Sequence, residues 1–267
     1  MKVGWFSTGC DEEARTLLAE TYHQINGGYL DKVSIEFVFS NRERGERAES
    51  DLFFDLVDEY GLNLICYSHR KFKPKLRRRG ILGDPAALKR WRIEYDRMVM
   101  EKIRRFSPSI ILLVGYMLIL GEEMCRRYVI LNLHPAPPGG PIGGWKNVIW
   151  EIIKDGWREA GGMIHIVTEE LDKGPPVTYF TFPIKGKDFE YLWREFKAEN
   201  LDEATNNQLF KRIRLDEAKR EGPLLIETLK LMSEGEIDVV GRDVYYRGVK
   251  VEGGISLNRL VDGWLGK

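Results

Sequence analysis

Leu131-Asn132-Leu133-His134-Pro135 is the stretch that decides the fold of this chain. It closes an apolar segment, Tyr128 to Leu133, and precedes a run rich in proline and glycine, Ala136 to Gly144. In an extended strand, side chains two residues apart project from the same face, so the amide of Asn132 and the imidazole of His134 stand side by side. The proline after them cannot continue a ladder of hydrogen bonds, so the strand ends where its polar pair emerges. The carboxyl end of a buried strand is the usual location of an active site in an open α/β sheet.

Composition restricts the class of protein. With 267 residues, 43% hydrophobic and 11% aromatic, the chain can bury a substantial core. Lys+Arg and Asp+Glu are equal at 41 each, so global charge favours neither binding nor exclusion of phosphate. The cysteines, Cys10, Cys66 and Cys125, lack a CxxC motif or metal-ligand spacing, which is typical of reduced thiols in a cytosolic protein. No segment approaches the roughly 20 apolar residues of a membrane span, and Met1 to Phe6 is too short for a signal peptide. These features predict a soluble, cytoplasmic protein without structural zinc or any other bound metal.

The order of apolar runs predicts a parallel sheet with right-handed crossovers. Strands are predicted at Lys2–Phe6, Val33–Phe39, Leu64–Tyr67, Ser109–Val114, Tyr128–Leu133, Met163–Thr168 and Val177–Pro183. Helices are predicted at Glu12–Ile25, Ala48–Tyr60, Asp84–Arg105, Gly121–Tyr128 and Trp145–Trp157. Residues 188–234 read as mostly helical, Ile237–Val251 as a small β-meander, and Gly253 onward as a tail. In the helix after Asp84, the residues expected to be buried are Leu88, Trp91, Ile93, Tyr95, Met98, Val99 and Ile103.

A dense run of positive charge follows the third strand, between Arg70 and Arg79. Such a run can contact a phosphate or an RNA backbone. Its charges surround only two apolar residues, Phe72 and Leu76, so a solvated, mobile loop is the favoured structural interpretation.

A carboxylate, Asp172, lies in the turn-rich segment after the strand that ends at Thr168. One crossover can return it to the sheet edge that holds Asn132 and His134. Aspartate in such a turn is also ordinary, and Asn132 and His134 could simply be a turn cap and a half-buried histidine. If the three converge, no serine or cysteine nucleophile is evident beside them. That arrangement favours acyl transfer in which the acceptor supplies the nucleophile, the amide stabilises an oxyanion, and the imidazole moves a proton.

Three segments resemble the 10-formyltetrahydrofolate-dependent formyltransferases. They are Asn132-Leu133-His134-Pro135, Gly115-Tyr116-Met117-x-Ile119-Leu120 and His165-x-Val167-x-x-Glu170-Leu171-Asp172-x-Gly174-Pro175. Phe39-Ser40-Asn41 is most similar to the glycinamide ribonucleotide formyltransferases of that superfamily. The resemblance covers roughly residues 1–183 and implies a Rossmann-like open, mostly parallel sheet with helices on both faces. The pattern of residues adds a helical and small β C-terminal extension. We therefore expect a catalytic domain over 1–185, with an insertion at about 70–106, and an extension over 186–267.

The resemblance also implies the site. Asn132, His134 and Asp172 become the catalytic residues, and the folate is expected to contact Met117, Ile119, Leu120, Glu170 and Leu171. The expected activity is transfer of a formyl group from 10-formyltetrahydrofolate, as co-substrate, to an amine. The amine could be glycinamide ribonucleotide, an amino sugar as in sugar N-formyltransferases, or another small molecule. Membrane binding is not expected, nucleic acid is not favoured as a partner, and the sequence leaves the oligomeric state open.

The first βα turn departs from the family pattern. Glycinamide ribonucleotide formyltransferases carry a Gly-Ser-Asn phosphate-binding turn where this chain has Thr8-Gly9-Cys10-Asp11, followed by Glu12 and Glu13. Those carboxylates complement the helix dipole themselves and disfavour a phosphate. Two sets of residues are candidates for binding the acceptor: Thr8, Gly9, Cys10 and Asp11 of the turn, and the arginines Arg70, Arg77, Arg78 and Arg79. We expect an acceptor phosphate to contact the arginines.

Two other classes of protein remain possible from the sequence. A folate- or nucleotide-binding module could keep the fold without turnover, although it would have no physical need for Asn132, His134 and Asp172 together. An RNA-binding protein would use the arginine run and would show a steep dependence of affinity on salt.

Overall fold

The computed structural model describes residues 1–196 and 207–266. These residues form two compact units. The first contains Met1–Asn132 and Ile166–Leu171, and the second contains Leu133–His165 and the described residues from Asp172 onward. The predicted division into a catalytic domain over 1–185 and an extension over 186–267 stays a prediction.

The first unit is built on parallel strands whose order reverses at β1. Its strands are β1 (Lys2–Phe6), β2 (Ser34–Ser40), β3 (Leu64–Cys66), β4 (Ile110–Leu113) and β5 (Ile130–His134, of which the last two residues belong to the second unit). Its helices are α1 (Glu12–Asn26), α2 (Ala48–Glu59), α3 (Pro74–Ile81), α4 (Pro85–Ile103) and α5 (Glu122–Arg127). The strand order is β3-β2-β1-β4-β5. The chain places β2 and β3 on one side of β1, and it then crosses to the other side to form β4 and β5. In such sheets, ligands bind outside the carboxyl ends of the strands at the point of reversal.

The register of these strands places the candidate residue Asn132 level with the carboxyl ends of β4, β1 and β2. Asn132 pairs with Leu113 of β4, Leu113 with Phe6 of β1, and Phe6 with Phe39 of β2. The polar segments that follow β1 and β2 therefore emerge at the same edge as Asn132.

An aromatic core supports this sheet from α4. Trp91, Tyr95, Val99 and Ile103 are buried, as predicted, and pack with Phe6, Phe37 and Phe39. Asp84 caps the helix through Oδ1, which accepts the Ala87 N–H at 2.9 Å, and Pro85 begins it. Burial of Met98 was wrongly predicted, because its side chain is 40% exposed, and Leu88 and Ile93 are only partly buried.

The basic run contains a helix where a mobile loop was the favoured interpretation. Pro74 opens α3 at a position where its missing N–H costs nothing. Gly80 lies so close to α4 that a Cβ there would be 2.6 Å from the Cβ of Leu88. The Arg77 guanidinium lies 5.5 Å from the centre of the Trp91 ring. Contact with α4, which local sequence does not reveal, therefore orders this segment.

The second unit combines helices with two groups of strands. Its strands are β6 (Glu159–Ile166, of which Ile166 belongs to the first unit), β7 (Pro176–Pro183), β8 (Ile237–Val240), β9 (Asp243–Tyr246), β10 (Val249–Val251) and β11 (Ile255–Ser256). Its helices are α6 (Trp145–Lys154), α7 (Glu190–Glu195), α8 (Gln208–Ser233) and α9 (Asn258–Trp264). β6 and β7 pair antiparallel, and β8–β10 form the predicted meander. Of the predicted helical region 188–234, residues 197–206 lie outside the described part of the chain.

The prediction of a tail from Gly253 onward is wrong. β11 pairs parallel with β7, and Val261 of α9 is completely buried. The Trp264 indole N–H donates to Glu227 Oε1 of α8 at 2.7 Å. The segment is too short to show its own periodicity, so its structure depends on these distant partners.

The fold is the predicted α/β class, Rossmann-like with a mostly parallel sheet and a helical and small β extension at the C-terminus. None of the helices in the described residues is both long and apolar enough to cross a membrane. Cys10, Cys66 and Cys125 are free thiols.

A substitution at Gly161 tests how closely β6 and β7 approach, because a Cβ there would be 2.1 Å from the Phe180 carbonyl oxygen. We expect Gly161→Ala to reduce the free energy of unfolding by about 1–3 kcal/mol, since backbone must move to admit the methyl group. Urea denaturation measures this. The control is Gly263→Ala in α9, where a Cβ meets nothing within 4 Å and alanine favours the helix. Equal stability of Gly161→Ala and the wild type would contradict the strand spacing.

Candidate active site

Asp172 holds a buried carboxylate in contact with a peptide N–H and two imidazoles. Its side chain is 8% exposed. Oδ2 accepts the Gly143 N–H at 3.0 Å and lies 3.7 Å from Nδ1 of His134, while Oδ1 lies 3.6 Å from Nε2 of His165. The backbone of Asp172 has φ of 52°, in the left-handed region that aspartate tolerates better than most residues. The backbone conformation that directs this carboxylate is therefore an unusual one.

His134 is held in one orientation at the end of β5. It is 2% exposed, and Nε2 lies 2.9 Å from the Pro141 carbonyl oxygen. Because a carbonyl can only accept, Nε2 carries the hydrogen, which leaves Nδ1 of the neutral ring as the basic nitrogen. Nδ1 faces Asp172 at a distance too long for a hydrogen bond. A proton gained at Nδ1 would face a carboxylate.

The pKa values of His134 and Asp172 favour a neutral imidazole beside an ionised carboxylate. Burial lowers the pKa of His134, although the charge of Asp172 and the Pro141 carbonyl oppose the shift. Burial alone would raise the pKa of Asp172, but the nearby His165 ring, the charge of His134 and the Gly143 N–H outweigh it and leave the pKa lowered. At neutral pH the pair is a neutral imidazole and a carboxylate, which is the state needed to accept a proton.

His165 is a component of the site to which the sequence assigned no role. It lies in β6 and is 2% exposed, with its ring centre 5.9 Å from that of His134 and the rings at 89°. His165 occurs in the motif shared with the formyltransferases, but it is flanked by apolar residues like any buried strand residue. Only its contact with Asp172 distinguishes it.

Asn132, a partly buried residue of the first unit, is two residues before His134 in β5. The apolar surface predicted to receive the folate is also in the first unit. Met117 is 63% exposed and Leu171 is 42% exposed, which is unusual for side chains of this type. Ile119 is partly buried, Glu170 is exposed, and Leu120 is 2% exposed within the aromatic core.

The first βα turn is occupied by its own side chains. Asp11 caps α1 by accepting the Ala14 N–H at 3.1 Å. Thr8 is buried, with Oγ1 accepting the Met117 N–H at 2.9 Å. Gly9 has φ of 60°, and a Cβ there would be 2.7 Å from the Phe53 ring. Burial and the nearby Asp11 carboxylate raise the pKa of the Cys10 thiol to about 11, so the thiol is protonated and is a poor nucleophile.

The predicted arginines differ in their surroundings. Arg70 is exposed, and Arg77 is partly buried against Trp91. Arg78 is exposed near the end of α3, and Arg79 donates to Asp84 Oδ2 at 2.7 Å. Arg70 and Arg77 lie near His69, whose backbone N–H donates to the carbonyl oxygen of the buried residue Asn41.

Comparison with known proteins identifies the family to which this chain is similar. The family model described as "Formyl transferase" matches residues 17–199. The phosphoribosylglycinamide formyltransferase of Escherichia coli is 31% identical over 98 residues, which cover 36% of this chain and 45% of that protein. The formyltetrahydrofolate deformylase of Haemophilus influenzae is 33% identical over 86 residues, covering 32% of this chain and 30% of that protein. The chain thus spans about half or less of the length of these relatives.

Solved structures show the same fold. The phosphoribosylglycinamide formyltransferase of Coxiella burnetii has a TM-score of 0.71 and 18% identity, with 96% of this chain and 98% of that chain covered. A formyltetrahydrofolate deformylase of Pseudomonas syringae has a TM-score of 0.61 and 20% identity, with 92% and 65% covered. Fold and site define a Rossmann-like protein with a histidine–aspartate pair at the end of a strand. The chain belongs to the formyl transferase family.

The charge of Asp172 should control the titration of His134. We expect the His134 ring to titrate below the ordinary histidine pKa of about 6.5, because burial disfavours its charged form. Asp172→Asn should lower this pKa further, since it removes a charge that favours the imidazolium. NMR titration of the ring protons measures both values. Asp238→Asn, an exposed change in β8, is the control and should leave the curve unaltered. A higher His134 pKa in Asp172→Asn would contradict the pairing.

Proposed function

We propose that this protein transfers a formyl group from 10-formyltetrahydrofolate to the amine of a small-molecule acceptor. The observation that supports this most directly is the neutral His134 with Nδ1 facing the buried Asp172 carboxylate. Membership of the formyl transferase family supports the same chemistry. The protein acts as a cytoplasmic enzyme of one-carbon metabolism in this proposal, and glycinamide ribonucleotide, an intermediate of purine biosynthesis, is the first acceptor to test.

The proposed catalytic residues are Asn132, His134 and Asp172. The acceptor nitrogen attacks the formyl carbon, and the Asn132 amide donates a hydrogen bond to the developing oxyanion. His134 accepts the proton that the nitrogen loses, and Asp172 stabilises the resulting imidazolium. The bond from the formyl carbon to the folate nitrogen then breaks, and His134 returns the proton to that nitrogen. His165 positions Asp172 throughout.

The folate in this proposal binds at the apolar surface formed by Met117, Ile119 and Leu171, with Glu170 at its margin. Met117 and Leu171 are exposed at a cost in free energy that contact with the flat face of the folate ring system would recover. Leu120 supports this wall from within the core, because its side chain is almost completely buried.

Asn132→Ala and His134→Ala should each lower turnover by at least about a hundredfold, since removal of one oxyanion donor typically costs two to three powers of ten. Steady-state assays with 10-formyltetrahydrofolate and glycinamide ribonucleotide measure the loss. Asn26→Ala and His23→Ala in α1 are matched controls, because both side chains are exposed. Circular dichroism should show that all four variants are folded.

Other outcomes would contradict the assignment. Near-normal turnover in Asn132→Ala or His134→Ala would exclude that residue as catalytic. Saturable folate binding without deformylation in the presence of glycinamide ribonucleotide or amino-sugar nucleotides would identify a binding module. Release of formate from 10-formyltetrahydrofolate at the same rate with and without an acceptor would identify a hydrolase, the activity named for the deformylase relatives.

Met117→Glu should raise KM for 10-formyltetrahydrofolate by at least about tenfold, equivalent to about 1.4 kcal/mol, because a carboxylate would be desolvated against the bound ring. The KM for the acceptor should stay close to the wild-type value. Met98→Glu in α4 is the matched control, since Met98 is also exposed. Equal folate KM values in the two variants would place the folate elsewhere.

A further inference from the structure

A buried polar cluster follows β2, outside the residues proposed for formyl transfer. Asn41 is completely buried and Arg42 is 8% exposed. In the described part of the chain, Nδ2 and Oδ1 of Asn41 and Nε and Nη1 of Arg42 have no hydrogen-bond partner. Buried polar groups are nearly always paired, because an unpaired one forfeits its hydration without compensation. These side chains are therefore suited to a ligand that supplies the missing partners.

The backbone next to the cluster is tightly held. His69 donates its backbone N–H to the Asn41 carbonyl oxygen at 3.1 Å, and its Nδ1 lies 2.8 Å from the same oxygen. Nδ1 must be the donor, since the carbonyl can only accept. The Arg42 N–H donates to Ser40 Oγ at 3.3 Å. Asn41 and Arg42 are thus anchored by their main chain while their side-chain polar atoms remain available.

Positive charge converges on these residues from the basic run. Burial first, and then the charge of Arg70, lowers the pKa of both Arg42 and Arg77. Burial and the charges of Arg42, Arg77 and Arg70 lower the pKa of His69 to about 4, so its ring is neutral at neutral pH. The Arg70 guanidinium therefore lies close enough to repel those of Arg42 and Arg77, and all three lie near the His69 imidazole.

The neighbouring carboxylates neutralise this charge only in part. Glu46 Oε2 forms an ion pair with Arg42 Nη1 at 3.9 Å, which is too long for a hydrogen bond. Glu43 is engaged by Lys71 Nζ at 2.7 Å and by the Ser68 N–H at 3.1 Å. A bound anion would relieve the repulsion that these side chains experience.

The position of the cluster suits the acceptor of a reaction at Asn132. Asn41 is two residues beyond Phe39, which lies three strand spacings from Asn132, or roughly 14 Å. Phe6 pairs with Phe39, and the Ser7 N–H donates to the Phe39 carbonyl oxygen at 3.0 Å, so the cluster lies beside the first βα turn, where the strand order reverses. Asp11 already satisfies the α1 N-terminus in that turn, so an anion is held better by the arginines.

We propose that Asn41, Arg42, Arg70 and Arg77 form the binding site for a phosphate group of the acceptor. This inference rests on the proposed function for its acceptor, but phosphate binding itself does not. Guanidinium groups bind phosphate oxygens bidentately, and the Asn41 amide supplies one more donor. Of the arginines predicted from sequence, the site includes Arg70 and Arg77 and leaves Arg78 and Arg79 outside it. The acceptor is accordingly a phosphorylated amine, such as a glycosylamine phosphate or an amino-sugar nucleotide.

Inorganic phosphate is the probe for the binding test, with isothermal titration calorimetry on the full chain. We expect the wild type to bind phosphate and Arg42→Gln and Arg70→Gln to bind it at least tenfold more weakly. Arg70 is exposed, so Arg70→Gln keeps the test valid if the buried Arg42→Gln variant fails to fold. Arg44→Gln is the matched control, because Arg44 is exposed and paired with Asp55 and Asp58 on α2. Absence of binding to the wild type, or equal binding by Arg70→Gln, would overturn the proposal.

Steady-state kinetics with glycinamide ribonucleotide assign the phosphate to the acceptor. In Arg70→Gln, KM for the acceptor should rise at least tenfold, while kcat and KM for 10-formyltetrahydrofolate stay within twofold of wild type. A rise confined to the folate KM would show that the cluster binds the folate carboxylates and would overturn the acceptor assignment. Loss of phosphate binding in Arg70→Gln from a wild type that transfers no formyl group would support the anion site while rejecting the proposed function.

Discussion

The burial of one carboxylate, Asp172, is the constraint on which the candidate active site depends. A carboxylate that is 8% exposed must be compensated, and here the Gly143 N–H and the imidazoles of His134 and His165 surround it. Each partner comes from a different element: the proline- and glycine-rich loop, the end of β5, and β6. The left-handed backbone at Asp172 directs the carboxylate inward. Loss of any one partner would weaken the compensation of this buried charge.

This arrangement is consistent with the proposed role of His134 as a base. The Pro141 carbonyl keeps the hydrogen on Nε2, and burial keeps the ring neutral. Asp172 stabilises the ring only after it gains a proton, so the interaction is stronger in the charged state that arises during reaction. The Cys10 thiol, the free sulfhydryl of the first βα turn, is held protonated by burial. Proton transfer by His134, with the acceptor as nucleophile, is consistent with both observations.

A second physical constraint concerns where the chain can bind an anion. A helix N-terminus favours negative charge, and the chain satisfies α1 with Asp11 from its own sequence. Charge that a ligand could neutralise occurs instead after β2 and β3, where Arg42, Arg70 and Arg77 lie close together. Within the first unit these groups follow β2 and β3, whereas Asn132 lies in β5, so the proposed anion site and the proposed oxyanion donor belong to different strands of one sheet.

The sequence by itself determined the α/β class and most strand and helix positions, and it supplied the prediction that Asn132, His134 and Asp172 are catalytic. These follow from local rules: hydrophobic periodicity, capping at Asp84, and the termination of β5 by Pro135. Only the tertiary structure decided the contact of His165 with Asp172, the ordering of the basic run as α3, the packing of α9, and the cluster of Asn41 and Arg42. Each of these depends on partners distant in sequence, such as Leu88 for Gly80 and Glu227 for Trp264. Local patterns report which residues can be buried, whereas burial, pKa and hydrogen bonding depend on which residues are brought together.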